Sequence, residues 1–356
     1  MGTTTNPHRF YEIDLLRFLA ALSVVLYHYG FRGYAADNKT IMPYLWIAPI
    51  AKYGYLGVDL FFIISGFVIL MTASSGSARR FVIARVVRLY PAFWVCCTMT
   101  FIAILIAGGT RYSASLHQYA VNMTMLSEFL GVKPIDGAYW SLFVEMKFYW
   151  LVLVVLLLRQ IHRAKELLGL WLALVLLIAQ WPIRYVGFFL IPNYAPYFIA
   201  GAMFYIIHAE GVCVYKIFII AVSYLASLRE AIHKVSGMQS HYHSEFSEAA
   251  IAITLAVFFL ILFFVATGRT RKFASDSWLL LGALTYPLYL IHQNIGFIVF
   301  NLSYPHVSPH ATMVGTVAGI LLAAYVINRK VERQYARPMK VLLEKILRVQ
   351  ARPLIG

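Results

Sequence analysis

Apolar positions in this chain come in long, nearly unbroken runs, and polar positions gather in short clusters between them. Neither the two-residue alternation of a half-buried strand nor the narrow stripe of a soluble amphipathic helix describes these runs. A helix crossing a bilayer needs about 17–25 mostly apolar residues. Ten stretches meet or approach that length: 13–30, 56–73, 88–107, 139–158, 167–183, 193–208, 214–228, 249–266, 278–299 and 309–328. The seventh is the shortest, and the weakly apolar segment 116–130 suits a re-entrant or interfacial piece. The longest connections, 31–55, 108–138 and 229–248, are too short for a separate soluble domain. The pattern predicts an all-α, polytopic transmembrane helical bundle of about ten spanning helices over residues 1–330, with a basic cytoplasmic tail at 331–356.

Composition sharpens this picture. Of the 356 residues, 61% are hydrophobic and 13% charged, whereas soluble domains are roughly 45–50% apolar. That sets aside a soluble enzyme with an oversized core. A net charge of +15 would suggest nucleic acid in a soluble protein, but here it fits cytoplasmic segments facing anionic lipid. With the N-terminus inside, the inner segments and the tail hold twenty of the thirty Lys and Arg residues and the outer loops eight. The asymmetry puts both termini in the cytoplasm and calls for an even number of crossings. The first run carries Asp14 and Arg17, and no small-residue cleavage site follows, so it reads as a retained helix and not a signal peptide. Cys96, Cys97 and Cys213 have no metal or disulfide spacing and read as structural thiols, and no metal is expected.

Ionisable groups inside apolar runs mark function by default, because hydrocarbon makes them expensive. Asp14, Arg17 and His28 lie on the first helix, Asp59 on the second, Glu145 on the fourth and His292 on the ninth. Arg17 and His28 are eleven residues apart, which places them on one helix face separated by about 16 Å of rise. Asp14, three residues before Arg17, shares that side. The stripe is either a packing seam with an internal ion pair or a reactive face. Helical rise brings His28, His292, Glu145 and Asp59 to one depth, which favours the reactive reading. His28 suits proton transfer near neutral pH, and Glu145 is placed to orient it or balance its charge. Ser141 and Tyr149 share the Glu145 face. Arg85 and Arg88 point together at i, i+3 and suit phosphates through bidentate hydrogen bonds, unless they are an ordinary positive-inside cluster. Tyr90-Pro91 follows, with Pro91 in a first helical turn. Tyr286-Pro287 kinks the ninth helix and re-aims Tyr289 and His292.

The same residues carry a family resemblance. Glu12-Ile13-Asp14-Leu15-Leu16-Arg17 with His28 resembles the opening of the acyltransferase-3 family of membrane acyltransferases, with its Arg-x10-His spacing. Gly57-Val58-Asp59 through Ser65-Gly66-Phe67, Arg85-Val86-Val87-Arg88-Leu89-Tyr90-Pro91, Tyr139-Trp140-Ser141-Leu142-Phe143-Val144-Glu145 and Tyr286-Pro287-Leu288-Tyr289-Leu290-Ile291-His292 resemble four further motifs of the family, in family order. One departure is clear: the family usually follows its Glu with Glu-Gln, whereas Met146-Lys147 follow here.

The resemblance implies transfer of an acyl group, usually acetyl, from cytoplasmic acyl-coenzyme A to a hydroxyl of a sugar in a cell-surface polysaccharide or lipid-linked glycan. It implies His28, Glu145, Arg17 and Asp14 as the reacting machinery. Arg85, Arg88 and Tyr90 would hold the donor, and Asp59, Trp140, Ser141, Tyr289 and His292 would contact substrate. No fused hydrolase-like domain is expected, so the chain would finish the transfer itself or with a separate partner, such as enzymes of a polysaccharide pathway. The implied location is a bacterial inner membrane, with the lipid bilayer as partner and no nucleic acid. The rival reading is a proton-coupled transporter or flippase, since buried acids and histidines also make proton relays, but no inverted repeat supports it.

Overall fold

The computed structural model describes residues 10–181 and 184–347, and among them every regular element is a helix. The first is α1 (Tyr11–Tyr27), which runs on as a π-helix over His28–Ala36. Then come α2 (Gly57–Ala73), α3 (Ala78–Ala107), α4 (Trp140–Leu157), α5 (Ala164–Gln180) and α6 (Ala195–Glu210). They are followed by α7 (Val214–His233), α8 (Glu248–Ala266), α9 (Trp278–Ser303) and α10 (Pro309–Ile327). A second π-turn (Asn328–Glu332) leads into α11 (Arg333–Ile346). Each of α1 to α10 falls on one of the ten apolar runs. Six segments are long and apolar enough to cross a membrane, by length and composition: Tyr11–Ala36, Ala48–Ala73, Ala78–Ala107, Gly137–Leu157, Glu248–Ala266 and Pro309–Ile346. Large apolar side chains such as Leu19, Ile106, Trp150, Ile253 and Leu322 face outward, which suits contact with lipid chains. The end of the fifth run, together with Arg9, Arg348 and Arg352 of the charge argument, lies outside the described residues.

One expectation is corrected. The third helix starts ten residues before the predicted edge, because the Ser77 hydroxyl caps it by accepting from the Arg80 N–H at 3.3 Å. Pro91 is therefore buried deep inside a 30-residue helix and not in a first turn, and Arg85 and Arg88 are interior helical positions. The weakly apolar segment 116–130 forms only a short helix (Leu116–Asn122), capped by Ser115, before the chain turns.

The bundle is closed most tightly where α2 meets α6. A Cβ on Gly201 would collide with the Ile63 carbonyl oxygen, and one on Gly66 with the Phe198 carbonyl oxygen. Small residues at facing positions let the two backbones touch, as at other membrane helix interfaces. Gly66→Ala and Gly201→Ala are each expected to cost about 1–3 kcal/mol through overpacking against backbone that cannot yield. The measurement is the thermal unfolding midpoint of the solubilised protein; an unchanged midpoint in both variants would mean that the helices part freely.

A second clamp sets α4 against α9. The Asp136 carboxylate accepts from the Ala138 N–H and the Asn294 N–H, both at 2.9 Å, and the Asn294 side-chain amide donates to the Ile135 carbonyl at 2.8 Å. Burial pushes the Asp136 carboxyl up to about 6, although the two backbone donors favour its ionised form. This junction places Ser141 on α4 opposite Tyr289 on α9.

Candidate active site

Two cavities meet inside the bundle. The first, about 70 Å³, is lined by Arg17 of α1, Ser65 of α2, Arg85 and Arg88 of α3, and Ser141, Glu145 and Tyr149 of α4, with Thr285, Tyr286 and Tyr289 of α9 among the other walls. Three guanidiniums face one carboxylate, so the arginine cavity is net positive. Arg85 is buried, its Nη2 donates to the Thr72 hydroxyl at 3.2 Å, and its guanidinium lies 5.8 Å from the centre of the Tyr149 ring. Its Nε has no hydrogen-bond partner. A buried charged donor left open suits an anionic ligand, since leaving it unpaired is costly. Glu145 accepts from the Ser65 hydroxyl at 2.7 Å.

The second cavity, about 300 Å³, has His28 and Arg32 on one side and Asp59, Trp140, Tyr194, Tyr197 and Lys234 on others. The Trp140 and Tyr194 rings lie 5.5 Å apart, and the Lys234 ammonium sits 4.5 Å over the Tyr194 ring. Such a mixture of aromatic faces, one acid and one ammonium can grip a polyhydroxylated ring. The arginine and histidine cavities share two wall residues, Val58 and Tyr289. The Tyr289 hydroxyl is 2.8 Å from the Ser141 hydroxyl and donates to the Ala138 carbonyl at 3.1 Å.

The hydrogen bonds around His28 assign its tautomer. His292 is fully buried, and its Nδ1–H donates to the Tyr289 carbonyl at 2.7 Å, which leaves Nε2 as an acceptor. His28 Nδ1 lies 3.2 Å from that Nε2 and 2.8 Å from the Val24 carbonyl, so it carries the proton. His28 Nε2 is then the unprotonated nitrogen on the cavity side, and it accepts from Arg32 Nη1–H at 3.4 Å. Tyr29 donates to the His292 carbonyl and steadies the same junction.

The structure therefore divides the predicted residues. Arg17, Arg85, Arg88, Glu145, Ser141 and Tyr289 gather in the arginine cavity, and His28, Asp59, Trp140 and Tyr289 in the histidine cavity. The expected pairing of His28 with Glu145 is not what the geometry presents: His28 is oriented by His292, and Glu145 bonds Ser65 in the neighbouring cavity. His292 lines neither cavity and stands behind His28. Tyr90 is also elsewhere, because its hydroxyl donates to the Thr124 carbonyl at 2.9 Å and ties α3 to the following loop. Asp14 packs against Gly282 of α9, within electrostatic reach of Arg17 but outside both cavities. Arg32, Ser65, Asp136 and Lys234 were missed. Arg32 and Lys234 were read as outer-loop charges, although the position of Arg32 one helical turn after His28 was a usable signal.

The profile of an acyltransferase domain, the acyltransferase-3 type, matches residues 10–329. Nodulation protein 10 of Rhizobium leguminosarum bv. viciae is 29% identical over 195 residues, covering 48% of this chain and 50% of that protein. Peptidoglycan O-acetyltransferase OatA of Listeria monocytogenes serovar 1/2a is 30% identical over 205 residues, covering 51% of this chain and 30% of OatA. The chain thus aligns with half or less of the length of these curated relatives. No solved structure matches it.

Proposed function

We propose that this chain, which belongs to the acyltransferase-3 family, is a membrane O-acyltransferase that moves an acyl group, most simply acetyl, from coenzyme A to a hydroxyl of a glycan. The observation that carries the reading is the pair of adjoining cavities, one positive and the other holding a histidine whose unprotonated Nε2 faces the cavity beside Arg32. The donor's phosphates and pantetheine arm suit Arg85, Arg88 and Arg17. The acceptor suits the histidine cavity, where the Trp140 and Tyr194 faces meet Asp59 and Lys234. The charge asymmetry supports a reading with both termini in the cytoplasm, in which the arginine cavity would open toward the cytoplasmic donor of a bacterial inner-membrane protein.

In the proposed reaction the acceptor oxygen forms a bond to the acyl carbonyl carbon as its proton passes to His28 Nε2. The carbonyl electron pair moves onto oxygen. Collapse of that intermediate breaks the carbon–sulfur bond, and the proton returns from His28 to the departing thiolate. The Nδ1–H of His28, shared between the Val24 carbonyl and His292, holds the ring in the required tautomer. Because the thioester already activates the acyl group, His28 and the departing thiolate account for each proton and electron pair. The transporter reading is not favoured by the family match.

The test is made on the purified protein and on vesicles. Acetyl-coenzyme A at about a hundred times its Kd should raise stability by about 2.7 kcal/mol, and radiolabelled acetyl should pass from it to envelope glycan of the host. Absence of both effects overturns the proposal.

A further inference from the structure

The π-helix that extends α1 presents Arg32 at the reactive nitrogen of His28. Single π-turns inside longer helices are rare and occur often at functional sites; this one spans nine residues and starts at His28 itself. Arg32 Nη1 lies 3.4 Å from His28 Nε2, and Arg32 lines the same cavity. Its guanidinium is not left to wander. Nε donates to the Asp37 carboxylate at 2.5 Å, and the other oxygen of Asp37 takes His241 Nε2 at 2.9 Å. Burial would raise the Asp37 carboxyl, but Arg32 and His241 outweigh it and hold it below the ordinary carboxylate value. A carboxylate kept ionised holds the fork in one orientation, with one face on Asp37 and Nη1 toward the cavity.

We infer that Arg32 is a further catalytic residue, whose guanidinium receives the oxyanion that forms on the acyl carbonyl when a hydroxyl activated by His28 attacks it. The inference rests on the proposed acyl transfer. An attacking oxygen hydrogen-bonded to Nε2 lies about 2.7–3 Å from it, and the carbonyl oxygen of the intermediate is bonded to the same carbon as that attacking oxygen. Nη1–H donates to Nε2 at 3.4 Å until the acceptor hydroxyl takes that lone pair, and the released donor is then within reach of the place where charge develops. Preorganised donors aimed at such a site are worth more than those that must reorganise. Asp37 and His241 are positioning residues: they act through Arg32 and touch no substrate. Arg32 and Asp37 lie outside the five motifs of the sequence reading.

The alternative is that Arg32 only staples the outer end of α1 to the segment carrying His241. The two are separated by the split between turnover and binding. Arg32→Gln keeps a side chain able to hydrogen-bond Asp37 but removes the charge and the fork. With radiolabelled acetyl-coenzyme A and host envelope glycan, it should lower kcat by about 10²-fold or more, as expected for an oxyanion donor. The KM values for both substrates should stay within about threefold, and the unfolding midpoint near wild type. Arg32→Lys restores a positive charge without the fork and should recover part of the lost kcat. Asp37→Asn should lower kcat less than Arg32→Gln does. A kcat for Arg32→Gln within threefold of wild type overturns the inference. So does a loss carried in KM or in stability alone. If Arg32→Gln yields no folded protein, Arg32→Lys decides, and a kcat equal to wild type counts against the inference. The wild-type reaction keeps the two claims apart: failure of wild type to transfer acetyl overturns the proposed function and with it the role of Arg32, whereas wild-type transfer that survives Arg32→Gln overturns only Arg32.

Discussion

His28→Ala should reduce acetyl transfer by about 10²–10⁴-fold, the range for losing a positioned general base, while folded protein accumulates in the membrane at wild-type levels. The side chain is buried beside an existing cavity, so its removal enlarges that space and leaves the surrounding helices in contact. What disappears is the one Nε2 lone pair that faces the histidine cavity in a fixed tautomer. His292 cannot take over, because its Nδ1–H is committed to the Tyr289 carbonyl and its Nε2 points at the vacated ring position, behind the cavity wall. Binding of coenzyme A should persist, since the donor arginines line the other cavity. The measurement is radiolabelled acetyl transfer in vesicles with matched protein levels. Activity above roughly a third of wild type would falsify the essential role of His28.

Replacing both Arg85 and Arg88 by alanine should abolish detectable coenzyme A binding without unfolding the protein. Hydrogen bonds to charged groups contribute about 1.5–3 kcal/mol each, so each arginine accounts for about 10–100-fold in Kd. Arg85 has the stronger structural claim, because its Nη2 is anchored on Thr72, its guanidinium sits 5.8 Å from the centre of the Tyr149 ring and its Nε is still unpaired. Lysine should restore only part of the affinity at either position, since a point charge cannot reproduce the planar fork. Calorimetric titration of coenzyme A into wild type and the double variant reads the effect directly. If affinity is unchanged, the two arginines serve membrane topology and not the donor.

The helices were legible because a bilayer imposes a length on any apolar run, and each of the ten runs became a helix within a few residues except at the start of α3 and the ends of α1 and α7. At the start of α3 the first turns after the Ser77 cap carry Arg79, Arg80, Arg85 and Arg88, so hydropathy marks no edge. The site was half legible. Facial spacing placed Arg17 and His28 on one stripe, and both now border adjoining cavities. Depth alone could not say whether Glu145 faces His28 or Ser65, because two residues at one height can stand on opposite sides of a wall. Arg32 was hidden by a rule about loops: a cation beyond the expected helix end counts as topology until the helix is found to continue, as it does here to Ala36.

The departure of Met146-Lys147 from the family pattern can now be weighed. Lys147 turns its ammonium onto the rings of Phe143, 4.3 Å away, and Phe188, 3.7 Å away, and Met146 packs against the apolar core. Neither side chain lines either cavity. A carboxylate at position 146 would stand with the packing residues of α4, one step around the helix from the chemistry. In this chain that turn serves packing, with the Lys147 ammonium laid on the Phe188 ring as a joint between α4 and the segment that bears it.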